Sequence, residues 1–206
     1  DDCPPWSINA QKITHDNKKK QLIYKNALLK VYDIPVLYFP KFFHPDPSVK
    51  RQSGLLQPRL NNSEILGSSF LLPYFHVLSD SKDITFKPTI FDSDIYMFQN
   101  EYRSEKKDSS FIIDLSHTAG YKSSKDNKKK SIAHIFSNFK INLGLDKFNE
   151  SELEVSLEKV TNDTYLKVFE SSLIDIDKRI KPSSQSQLAS NFKLDLSHNK
   201  FNFETG

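Results

Sequence analysis

The side chains able to make or break bonds are few and scattered. Six histidines stand at positions 15, 44, 76, 117, 134 and 198. None has a metal-binding spacing such as H-x-x-x-H, so they read as surface or turn residues and no metal site is expected. Glu152, Glu154 and Glu158 would share one strand face with Ser156. That pattern suits a hydrated wall; a general acid and base working as a pair finds no further support. Lys128–Lys130 reads as a solvated loop tip. No G-x-S-x-G, phosphate loop or dinucleotide fingerprint occurs among only five glycines, so neither an enzyme nor a cofactor site is expected. The three N-x-S/T sequons, at Asn61, Asn149 and Asn162, read as turns. Cys3 is the one cysteine. It is either an unpaired thiol or half of a bond to a residue outside the chain.

Two prolines are more informative. Gly54-Leu-Leu-Gln-Pro58-Arg-Leu60 and Gly67-Ser-Ser-Phe-Leu-Leu-Pro73-Tyr-Phe75 look like strands, yet each contains a residue that cannot donate to a ladder. Pro58 and Pro73 therefore mark a place where pairing is weak. Either two edge strands are blunted against aggregation, or a sheet is built to open there.

Alternation of apolar and polar residues dominates from about residue 53. Ile84, Phe86, Pro88 and Ile90 fall on one face, with Thr85, Lys87 and Thr89 on the other. The same period of two runs through 139–143, 153–158 and 192–197, which means strands with one apolar and one polar face. The pattern predicts strands over about 6–14, 21–32, 34–41, 53–61, 65–78, 83–92, 95–104, 109–120, 131–143, 151–160 and 186–199. Residues 169–180 fit a helix or a strand equally well and are read as irregular. Connections at 92–94 and 104–108 are short, whereas 122–130 and 161–186 read as long polar loops. Short turns at one end and long loops at the other suit an outer-membrane barrel, and also a β-sandwich.

Composition narrows the class. Hydrophobic residues make up 37% and aromatics 12%, with 16 phenylalanines against one Met and one Trp. That suits many half-covered surfaces better than one large dry core. The net charge of +3 comes from 29 basic and 26 acidic residues, interspersed, which does not suggest a nucleic-acid binder. No run of 18 apolar residues exists; Val31–Phe43 is broken by Asp33, Pro35, Pro40 and Lys41. Barrel strands escape such a search because they alternate. The chain starts at Asp1 without an initiator Met or signal peptide and stops within what looks like a strand. It reads as a piece of something longer.

Residues 1–47 differ from the rest. Two strands flank Asp16-Asn-Lys-Lys-Lys20, and Pro45-Asp-Pro47 reads as a linker. Tyr38, Phe39, Phe42 and Phe43 cluster just before it, as local core or as an apolar rail.

An ordered set of motifs resembles one family. Trp6-Ser-Ile-Asn-Ala-Gln11 is followed by Asn26-Ala27, Lys30-Val31 and Pro35-Val-Leu-Tyr-Phe-Pro40. Next come Lys50-Arg-Gln-Ser-Gly54-Leu-Leu-Gln-Pro58, Leu72-Pro73-Tyr74, Asp83-Ile-Thr-Phe-Lys-Pro88 and Asn100-Glu-Tyr-Arg103. Over about residues 5–105, order and spacing are similar to the LptD family, lipopolysaccharide-assembly proteins also called organic solvent tolerance proteins. Beyond that, only the strand pattern and Asp163-Thr-Tyr-Leu166 match.

The resemblance implies an all-β fold. Residues 1–47 would be the C-terminal strands of a periplasmic β-jellyroll. Residues 48–206 would be the first eight or nine antiparallel meander strands of a large outer-membrane β-barrel. It implies transport of lipopolysaccharide to the outer leaflet, with Pro58 and Pro73 at a lateral gate. Tyr38, Phe39, Phe42 and Phe43 would line an acyl-chain conduit, Lys128–Lys130 would offer an alternative phosphate contact, and Cys3 would join a disulfide to a residue outside the chain. The implied partners are an LptE-like lipoprotein plug and an LptA-like periplasmic bridge, at the outer membrane with the N-terminal part in the periplasm. The rival reading is a soluble β-sandwich or β-solenoid that binds glycans or another ligand.

Overall fold

A computed structural model describes residues 6–46, 48–49, 51–123, 126–169, 180, 182 and 187–206, with the backbone alone at 123 and 126–129. Cys3 lies outside the described residues.

The chain forms two antiparallel sheets. The first has three strands in the order β1 (Trp6–Asp16), β2 (Gln21–Val31) and β3 (Ile34–Pro45). Its first turn is organised by Asp16, whose carboxylate accepts the backbone N–H groups of Lys18 and Lys19 at 3.0 Å each. Its second is a two-residue turn in which Tyr32 and Asp33 both have positive φ, the twist that matches a hairpin. Ala27 and Leu29 of β2 are its buried centre.

The second sheet contains β4 (Gly54–Leu55), β5 (Arg59–Ser63), β6 (Gly67–Leu71), β7 (Tyr74–Ser79), β8 (Lys82–Phe91), β9 (Tyr96–Glu105) and β10 (Ser109–Ser123). It continues with β11 (Asp126–Asn142), β12 (Glu150–Val160), β13 (Asn191–His198) and β14 (Phe201–Thr205). From β8 to β14 each strand pairs with the next, a simple meander. One short helix, α1 (Tyr165–Val168), sits in the β12–β13 connection. Among the described residues no helix is long and apolar enough to cross a membrane.

The period of two becomes two faces of opposite chemistry. Register aligns Asp83, Arg103 and Ile112 across three strands, then Thr85, Glu101 and Asp114, then Lys87, Gln99 and Ser116. It continues this polar face through His134, Asn138, Lys140 and Glu154 to Lys193. Asp83, Thr85, Gln99, Glu101, Asp114, Ser116 and His134 are buried. The opposite face carries Ile90, Phe98 and Phe192, which are 52%, 56% and 53% exposed. A soluble sheet covers its apolar face and wets its polar one; this sheet does the reverse. The register is strongly specified, because a slip of one residue would exchange every side chain between the faces.

The main apolar core lies at one end of the polar face. Leu66 from the β5–β6 turn and Phe91, Met97, Ile132 and Phe136 from the strands pack with Tyr165, Leu166 and Val168 of α1 and with Phe169 just after it.

Several expectations change. Residues 122–130 are not a long loop: β10 and β11 extend to 15 and 17 residues, pairing Lys122 with Lys129. The backbone ladder therefore continues past the apolar band. The expected strand 186–199 is confined to 191–198 and forms a hairpin with β14. Residues 170–179 of the irregular stretch lie outside the described residues, and α1 just before it was not foreseen.

Candidate functional site

The expected strands at 53–61 and 65–78 are each broken at the proline. Leu55 pairs with Tyr74 on one side of the break, and Arg59 with Leu71 on the other. Three residues, 56–58, thus face two, 72–73, so the first strand carries one extra residue as a bulge. A single backbone bond spans the interruption, from the Leu56 N–H to the Pro73 carbonyl at 2.9 Å. Both prolines are buried. On the next strand Pro88 stands opposite the break, where the Leu72 N–H reaches its carbonyl at 3.3 Å. Pro58, Pro73 and Pro88 therefore line up across three strands. Sequence reasoning missed the third, although its signal was present: each proline lies fifteen residues after the last.

Beside this line the polar face holds a cleft of about 440 Å³. It is lined by Leu56, Leu71, Pro73 and Phe75 and by Arg59, Lys87, Glu101 and Arg103. Arg103 Nε donates to Asp83 Oδ1 at 2.7 Å, and its Nη1 lies 3.5 Å from Glu101 Oε1. Lys87 Nζ reaches the other Glu101 oxygen at 3.2 Å. Arg51, just ahead of β4, donates to Asp83 Oδ2 at 2.5 Å and also to the Asp80 carbonyl. The segment entering the sheet is thus tied to β8 across the weak strands. Gly54 makes the entry possible: a Cβ there would meet the Pro45 ring at 2.7 Å.

A second buried polar group lies farther along the wall. His134 does not take the surface or turn role expected of it; its side chain is fully buried. Ser116 Oγ is 2.9 Å and Tyr165 OH 2.8 Å from His134 Nδ1. His134 Nε2 is 3.5 Å from Asp114 Oδ1, and Gln99 Nε2 donates to both Asp114 oxygens at 2.9 and 2.7 Å. Burial pushes the Tyr165 hydroxyl up to about 12. The cluster pins α1 to the wall. Its serine, histidine and aspartate are all buried. Among the described residues no group of three His, Cys, Asp or Glu could hold a metal.

Glu154 and Ser156 face the same side as Asn138, whose amide donates to them at 2.7 and 3.0 Å. Leu153, Val155 and Leu157 point to the opposite face. Tyr38 and Phe43 are exposed, while Phe39 and Phe42 are half-buried. Phe42 stacks on Tyr24 with ring centres 4.5 Å apart, and Phe39 lies 5.2 Å from Phe42. Tyr38 donates to the Asn26 side chain at 2.8 Å. Phe39 and Phe42 thus pack together with Tyr24, while their strand neighbours Tyr38 and Phe43 point to the other side of β3.

These features define an all-β protein whose larger antiparallel sheet is open, carries its charges on the covered face and leaves its apolar face exposed. No family model matches the chain. Curated relatives do, under one name. Over 190 residues it is 26% identical to the LPS-assembly protein LptD of Legionella pneumophila strain Paris, covering 86% of this chain and 22% of that protein. It is 37% identical over 87 residues to the LptD of a Polaromonas species, covering 42% of this chain and 10% of that protein. For Xanthomonas oryzae pv. oryzae the identity is 35% over 100 residues, 48% of this chain and 12% of the relative. The family read from the motifs is the one these comparisons return, and the chain is a homologue of LPS-assembly proteins. It spans only a small part of their length.

Proposed function

We propose that this chain is part of a lipopolysaccharide-assembly translocon of the outer membrane. Residues 1–47 end a periplasmic jellyroll, and residues 48–206 supply the first strands of a membrane barrel. Its work is passive: it offers a path and a seam, and catalyses no covalent change. Acyl chains slide along Tyr38, Phe39, Phe42 and Phe43. Sugars stay in the hydrated interior against the polar wall. The lipid leaves sideways where Pro58 and Pro73 weaken the ladder. A lipoprotein plug and a periplasmic bridge protein complete the path, and Cys3 joins a disulfide to a residue outside the chain.

The observation that carries this reading is the inverted polarity of the larger sheet, with Asp114 and Glu101 covered and Phe98 and Phe192 exposed. Water on the charged side and hydrocarbon on the other satisfy both faces. The proline line adds the reason for an exit at one edge.

Photo-crosslinking in living cells tests it. A photoreactive residue at Phe43 or Leu72 of the full-length protein should form adducts with lipopolysaccharide, and one at Glu204, on the opposite sheet edge, should form few. Full-length protein that folds and reaches the envelope yet gives no adduct at either position would remove both conduit and seam.

A further inference from the structure

We infer that the cleft beside the proline line binds the phosphate group of an amphiphile during its exit. The inference rests on the reading above and names the contact that reading lacks.

The cleft joins two chemistries at one break. Lys87 and Arg103 share the carboxylate of Glu101. Asp83 behind them is shared by Arg51 and Arg103, so these three cations meet two carboxylates and the cleft keeps an excess of positive charge. The Lys87 and Arg103 side chains are only 12% and 21% exposed. Cations so far out of water attract an anion with little screening. The Arg103 guanidinium lies 5.8 Å from the centre of the Phe75 ring, and its bond to Asp83 holds the fork in place. A planar fork beside an ammonium suits the oxygens of a phosphate monoester. The apolar lining of Leu56, Leu71, Pro73 and Phe75 suits hydrocarbon. Inorganic phosphate would use only half of this site; a phosphorylated lipid uses all of it.

Glu101 completes the device. It sits between Lys87 and Arg103 at 3.2 and 3.5 Å and is 4% exposed. In the empty cleft its one negative charge is shared between the two cations. An arriving phosphate competes with it and takes them over, so the anion is held without being trapped. The site lies where the ladder is interrupted, within reach of both the polar interior and the weak seam.

Binding by the full-length protein in detergent tests this, with phosphorylated and enzymatically dephosphorylated lipopolysaccharide as probes. Lys87→Gln plus Arg103→Gln should weaken binding of the phosphorylated form by about tenfold to a hundredfold, the size of lost charge-assisted hydrogen bonds. The dephosphorylated form should bind as before. Lys140→Gln, on the same wall but outside the cleft, should change neither. Glu101→Gln should tighten binding of the phosphorylated form, whereas a purely structural Glu101 would give no gain. If the double variant fails to fold by heat-modifiable gel mobility, Glu101→Gln alone decides, and unchanged or weaker binding overturns the inference. Wild-type affinity in a folded double variant also overturns it. Inorganic phosphate that displaces the lipid as well as added lipopolysaccharide does would assign the site to free phosphate and refute the amphiphile. Wild-type protein that binds neither probe removes the translocon reading as well, which separates the two failures.

Discussion

The segment 54–79 and the strands from β9 to β12 use the same alternating residues, yet they pair differently. In the first, the strands are two to six residues long and broken in step at Pro58 and Pro73. In the second they run for 10 to 17 residues, and α1 with a buried polar cluster clamps them. Each ladder bond contributes only about 0.5–1.5 kcal/mol net. A few missing donors at one line therefore separate a weakly paired stretch of the sheet from a strongly paired one. The centre is overdetermined by register, core packing and buried hydrogen bonds together.

The largest effect should come from charging the outer face of the centre. Val155→Arg should cost about 2–4 kcal/mol if that face meets lipid near the midplane. Urea titration of the full-length protein in bilayers measures it. A neutral outcome, with labels at 153 and 157 reached only by aqueous reagents, would break the membrane side of the comparison.

The clamp gives the next effect. The Tyr165 hydroxyl titrates near 12 in the folded protein, against an ordinary value of 10.0. The raised value means that stability is complete below about pH 10 and falls as pH rises towards about 12. The loss is on the order of 2–3 kcal/mol by linkage. Tyr165→Phe should lose this part of the alkaline fall. Parallel stability curves for the two proteins between those pH values would show that the clamp does not couple to folding.

At the seam, Pro58→Ala plus Pro73→Ala should shift opening by about 1–3 kcal/mol, on the order of tenfold in the open population. The expected phenotype is a leaky envelope at normal levels of folded protein, read by antibiotic sensitivity together with heat-modifiable mobility. Pro88→Ala should add to it if the weak line crosses three strands. Normal lipopolysaccharide export in the triple variant would reduce all three to edge protection.

The smallest effect lies in the segment just after β3. Asp46 accepts the Ser48 backbone N–H at 2.8 Å, and its other oxygen lies 2.7 Å from His15 Nε2. Chiefly the Ser48 N–H and hydroxyl, and then His15, hold its carboxyl below the ordinary range. This local order is therefore present above that range and lost as pH falls through it. Hydrogen-exchange protection at residues 46 and 48–49, corrected for the pH dependence of intrinsic exchange, should fall in acid for the wild type and be low throughout in Asp46→Asn.

Most of this architecture was legible before any coordinates. Period-two runs such as 84–90 and 153–158 located the strands, and Pro58 and Pro73 located the break, because both signals act within one strand. Alternation divides each strand into two faces without saying which one is covered. Register across β8 to β13 decided that, by stacking Thr85 with Glu101 and Asp114 and sending Phe98 outward. The same limit hid Pro88, whose meaning depends on lying opposite the break at Leu72, and the 122–130 hairpin, whose polar residues pair only because β10 and β11 are already in register. It also hid His134. Its environment comes from Asp114, Ser116 and Tyr165, up to 31 residues away in the chain. Local patterning acts through near neighbours and so is written along the chain. Burial, charge pairing and the docking of α1 are properties of strands brought together, and they exist only once the sheet has formed.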